Sequence, residues 1–164
     1  METYTIGFFS REEPSLTLEE KKEIRTLIEY FADNHSLVEV LIGTESPLGD
    51  KLLGSVTVPC SRDQIRVVRV TDEREAACRC CLGHYDKILF CEPSQEDGAL
   101  FSSAEAYVID HSDLLVCYRY EEDDRREAMD TYFRKKGIFV FNFADTATRR
   151  SLERYHREIK KYFR

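Results

Sequence analysis

At three places along the chain an apolar run ends in polar residues, and there the sequence could do chemistry. After the first run come Ser10 and Arg11. The planar fork of Arg11 could grip a carboxylate or phosphate, or pair with Glu12 or Glu13 beside it. After the second run comes Gly43-Thr44-Glu45-Ser46-Pro47-Leu48-Gly49-Asp50. Gly43 and Gly49 let a backbone approach a ligand, Thr44 and Ser46 offer hydroxyls, and Asp50 suits a ribose hydroxyl or a helix cap. After the fifth run, from Glu121 to Arg126, four carboxylates against two arginines leave a formal −2, with no glycine. Carboxylates there complement the positive end of a following helix, worth about 0.3–1 kcal/mol each. That helix start fills its own anion site, leaving Arg125 and Arg126 to solvent or to a ligand. The ligand-binding candidates are therefore Ser10, Arg11, Gly43, Thr44, Ser46, Gly49, Asp50, Glu121, Arg125 and Arg126.

Other chemistries lack their signatures. Of six cysteines, Cys78, Cys80 and Cys81 lie close together, but no second pair stands at zinc spacing. Cys60, Cys91 and Cys117 stand singly, and the set reads as small buried hydrophobes. His35, His84, His111 and His156 show neither triad nor zinc-protease spacing, although His111 follows Asp110 and admits an Asp–His pair. There is no Gly-x-Ser-x-Gly elbow and no Walker lysine. No catalytic residue is assigned, and no metal or cofactor is expected.

The elements that must position these candidates alternate regularly. Apolar runs at Tyr4–Phe9, Leu37–Ile42, Ile65–Val70, Asp86–Cys91, Asp113–Tyr118 and Ile138–Asn142 predict six strands. Thr17 precedes a helix whose Ile24, Leu27, Ile28 and Phe31 share one face, ending at Asn34-His35. Further helices are predicted after a cap at Asp72 through Leu82, over Phe101–Ile109, over Arg125–Lys136 and over Thr146–Phe163, with a helical turn within Leu48–Leu53. Gly137, after three basic residues, is the expected end of the fourth. Strands this continuously apolar are buried on both faces. The expectation is a three-layer Rossmann-like α/β fold with a mostly parallel sheet of about six strands. Ligands of such sheets sit beyond the carboxyl ends of the strands, where strand order reverses.

At 164 residues, 42% of them hydrophobic, the chain is read as one globular domain over its whole length. No apolar run approaches a membrane span, and no basic-then-apolar leader opens the sequence, so a soluble, cytoplasmic protein is expected. With 31 acidic against 24 basic residues the net charge is −7, which disfavours nucleic acid as a partner. A small anion held locally, a protein partner and a homo-oligomer stay open.

Tyr107, Asp110, Ser112 and Asp113 lead into the apolar Leu114–Tyr118, and a helix ending Lys135-Lys136-Gly137 leads into Ile138–Asn142. This stretch resembles the SLOG superfamily, most closely its YpsA-like branch, related to the DprA/Smf and LOG proteins. Leu48-Gly49-Asp50 after Gly43 looks like that branch's glycine-rich loop, Ser10-Arg11 stands where its Thr-Gly-His-Arg motif ends, and Asp86 is similar to a recurrent aspartate. Asp124-Arg125-Arg126 stands where relatives carry Gly-Gly-Thr, and the LOG run Pro-Gly-Gly-x-Gly-Thr-x-x-Glu is absent. The resemblance implies a non-catalytic domain that binds a nucleotide-derived ligand or a protein partner, with a degenerate phosphate loop. The alternative it implies is an N-glycosidic-bond enzyme, of the nucleoside deoxyribosyltransferase or nucleotide phosphoribohydrolase type. Asp50, Glu92, Asp113 and Glu121 are the carboxylates that could serve it.

Overall fold

Apolar strands need cover on both faces, and the order of elements supplies it. A computed structural model describes residues 3–10, 17–35, 37–43, 62–73, 85–93, 100–118 and 126–142. The strands are β1 (Thr3–Ser10), β2 (Leu37–Gly43), β3 (Ile65–Thr71), β4 (Lys87–Phe90), β5 (Leu114–Tyr118) and β6 (Phe139–Asn142). The described helices are α1 (Leu18–Asn34), α2 (Ser103–Asp110) and α3 (Arg126–Lys136), with a 3-10 turn at Arg62–Gln64 before β3. All six strands form one sheet in the order β4-β3-β2-β1-β5-β6, and every neighbouring pair is parallel. The expected three-layer Rossmann-like fold is therefore present. The predicted helices over 74–82 and 146–163, and the turn within 48–53, lie outside the described residues.

Alternation along each strand divides the core in two. Ile6 and Phe8 of β1 pack with Leu114 and Val116 of β5 beneath α1, whose Ile24, Leu27, Ile28 and Phe31 are at most 2% exposed. Burying each such side chain is worth about 1.5–3 kcal/mol, so this stripe anchors the helix. Phe9, Leu41, Leu115 and Cys117 face the other way, beneath Val108 and Ile109 of α2 and Met129 and Phe133 of α3. Helices thus lie on opposite faces of a doubly buried sheet.

Helix ends follow from local chemistry. Thr17 and Glu20 form a reciprocal capping box before α1, and Ser102 and Glu105 form another before α2. At the far ends, His35 and His111 place Nδ1 3.0 and 2.9 Å from the carbonyls of Phe31 and Tyr107, serving helices without a basic residue in their last turn. Gly137 sits at φ +67, with Gly137 N donating to Arg134 O and Ile138 N to Phe133 O. That is a Schellman stop, closed by the shared packing of Phe133 and Ile138.

Two aspartates fix the sheet's amino-terminal rim. Thr5 N donates to Asp113 Oδ2 at 2.9 Å while Asp113 N donates to Thr5 O at 2.8 Å. Asp86 does the same with Val67, both contacts at 2.8 Å. Each residue stands just before its strand and stitches it to a neighbour.

Candidate functional site

The chain leaves β1 for β2, β3 and β4 on one side and returns to lay β5 and β6 on the other. Strand order therefore reverses between β1 and β5, and a parallel sheet opens a crevice at the carboxyl ends of those two strands. Ser10 is in register with Tyr118 there, Gly43 with Val70, and Asn142 with Cys117. The helix after β1 starts at the same rim. Tyr4, at the beginning of β1, stacks at 3.9 Å on Phe31 and lies 5.0 Å from His35, at the end of α1. Helix and strand run in opposite directions, so the first turn of α1 stands over the carboxyl end of β1.

Buried polar side chains are spread along the carboxyl end of the sheet. Five are found among the described residues: Ser10, Glu20, Thr71, Ser112 and Asn142. Ser10, Thr71 and Asn142 each close a strand at its carboxyl end, and Glu20 lies in the first turn of α1. Ser112 alone is at the opposite rim, where its hydroxyl donates to Val108 O. Alternation turns Ser10 and Thr71 toward the α1 face and Asn142 toward the α2 and α3 face. Thr71 Oγ1 accepts from Glu73 N at 3.1 Å, which turns the chain out of β3.

Of the sequence candidates, Ser10 and Gly43 are at the rim, and Arg126 is the first residue of α3. Arg11, Thr44, Ser46, Gly49, Asp50, Glu121 and Arg125 lie outside the described residues. Gly43 has room: a Cβ built there meets none of the described atoms within 4 Å. Sequence reasoning passed over Thr71, Asn142 and Glu20. The available signal was a polar residue ending an apolar run, in Arg-Val-Thr71 and Val-Phe-Asn142.

Among the described residues the remaining titratable groups do not assemble a reactive centre. Asp113, a candidate carboxylate for N-glycosidic chemistry, is engaged with Thr5 at the far rim. Asp110 does not pair with His111: it accepts from Tyr132 OH at 2.6 Å and lies 3.4 Å from Lys136 Nζ, while the His111 ring stacks on Tyr107 at 3.8 Å. Burial, then the hydrogen bond and charge of Asp110, push the Tyr132 phenol up to about 12. Cys117 is buried and Cys91 partly so; burial and then Asp72 push the Cys91 thiol up, away from nucleophilic use. Cys60, Cys78, Cys80 and Cys81 lie outside the described residues.

Among the described residues no group of three or more His, Cys, Asp or Glu could hold a metal ion. None of their helices is long and apolar enough to cross a membrane. No protein-family model matches the sequence, and neither a curated protein nor a solved structure does.

Proposed function

We propose that this chain is a divergent, non-catalytic SLOG-like domain that binds a nucleotide-derived ligand at the carboxyl rim between β1 and β5. One observation carries the reading: strand order reverses between β1 and β5, and β1 ends at that crevice on the buried polar residue Ser10. Ligand sites of open α/β sheets lie in such a crevice, beyond the carboxyl ends of the strands. The sequence resemblance over residues 106–142 supports the same reading.

A thermal-shift panel of nucleosides, AMP, ADP-ribose and NAD at millimolar concentration tests it. The expected result is a rise in Tm with at least one ligand, reduced in Gly43→Ala, whose added methyl meets none of the described atoms within 4 Å but narrows the approach from β2. No shift with any of them refutes ligand binding and leaves the protein-partner form of the reading. Release of free base from a nucleoside would contradict the non-catalytic part.

A further inference from the structure

We propose that the edge of the molecule at β6 is a cationic docking surface for a short acidic helical segment of a partner protein. The inference does not depend on the carboxyl rim. From Arg134 to Arg164 the chain carries ten basic and three acidic residues, a formal +7, whereas the 133 residues before them carry 14 basic and 28 acidic, a formal −14. The reversal has a place in the fold. It begins in the last turn of α3, where Arg134, Lys135 and Lys136 are all exposed, and it continues past β6, the outermost strand on that side of the described sheet. The helix dipole accounts for cations at the end of α3 but not for the seven basic residues that follow β6. Those seven lie outside the described residues, and their spacing is ordered. Arg150, Arg154, Arg157 and Lys161 follow one another at intervals of four, three and four, and Leu152, Tyr155, Ile159 and Tyr162 at three, four and three. On the helix that the sequence predicts there, the two sets form stripes on opposite sides. An apolar stripe used in packing leaves a row of cations facing away from the core.

That row is about 16 Å long. A nucleic acid or an anionic membrane would extend past it and over a body carrying −14, which repels both. An acidic segment as short as the row meets the cations alone, and acidic side chains on a helix repeat at the same intervals of three and four. Phe139, 58% exposed at the start of β6, supplies an aromatic contact beside the cations, of the kind enriched at protein interfaces.

The test is fluorescence anisotropy on the full chain with a labelled helical peptide of about 16 residues, bearing glutamate at every third or fourth position, and with its glutamine counterpart. Wild type should bind the glutamate peptide about tenfold or more tighter than the glutamine one, and added salt should weaken that binding. This comparison needs no variant. Arg134→Glu with Lys135→Glu should weaken binding about fivefold or more, and so should Arg154→Glu with Arg157→Glu. Lys22→Glu with Lys87→Glu, exposed on α1 and at the opposite edge of the sheet, makes the same change in net charge and should alter binding less than about twofold. Phe139→Ser should weaken binding and keep its salt dependence. Circular dichroism and Tm are recorded for every variant. Equal binding of the two peptides, no binding of either, or an equal loss in the Lys22/Lys87 variant overturns the proposal. So does tighter binding of a single-stranded oligonucleotide or of phosphatidylserine vesicles than of the glutamate peptide.

Discussion

Gly7→Ala puts a methyl group where β1 and the end of α2 leave no room. An ideal Cβ on Gly7 would overlap Ser112 Oγ and come within 2.9 Å of Val108 Cγ1. Neither neighbour yields easily. The Ser112 hydroxyl is held on Val108 O, and the turn after α2 is pinned to β1 itself through the paired contacts of Thr5 and Asp113. Overpacking of this kind costs about 1–3 kcal/mol. Alanine returns about 0.4–1 kcal/mol by restricting the unfolded chain. With both obstructions fixed, the expected net loss is about 2 kcal/mol, or about 4–8 °C in Tm for a chain of this size. Urea unfolding followed by circular dichroism measures it, with the slope unchanged. Ser112→Ala removes the offending oxygen, so the double variant should be less destabilised than the sum of the singles by about 1 kcal/mol. A Gly7→Ala loss below about 0.5 kcal/mol, or simple additivity, would refute the close approach as described.

Removing the rim aspartates tests the stitching of the sheet. Asp86→Ala should lower unfolding free energy by about 1–2 kcal/mol and Asp113→Ala by somewhat less, because the Val67 contact is partly buried and the Thr5 contact exposed. Asparagine keeps an acceptor and should recover most of either loss, and equal losses for alanine and asparagine would count against the hydrogen bonds. The Tyr132 phenol, raised from its ordinary 10 to about 12, binds its proton more tightly in the folded state. Its contribution is complete below the unfolded value and is lost as pH rises between about 10 and 12. Tyr132→Phe should therefore flatten the alkaline limb of stability against pH, and an unchanged limb would exclude the group as its source.

Much of the fold was legible because its signals are local. Thr17-x-x-Glu20, the apolar stripe of α1 and the glycine after Lys136 each act within one or two turns, and all three fell where the structure puts them. A second capping box, Ser102-x-x-Glu105, carried the same signal, and weighing it moves the start of α2 from Phe101 to Ser103. Asp86 and Asp113 were legible as aspartates beside strands but not as stitches. Their partners lie 19 and 108 residues away in sequence, and only strand register brings them together. The candidate site was read in halves for a similar reason. Ser10 and Gly43 stood out by residue type, whereas Asn142 and Thr71 become rim residues only once strand order is known. Glu20 was read as a helix-start residue, and its burial depends on packing that spacing does not encode.

The placement of β5 beside β1 has a consequence during synthesis. β1 to β4 lie side by side in the order in which they leave the ribosome, so each can zip onto its predecessor as it emerges. The other edge of β1 has to wait for a strand more than a hundred residues downstream. At about 5–20 residues per second that edge stays open for roughly 5–20 s, with a row of amides and carbonyls available to any neighbouring nascent chain. The central strand of the finished molecule is thus an unprotected margin of the growing one, and fast ribosomes or early chaperone contact shorten its period of risk.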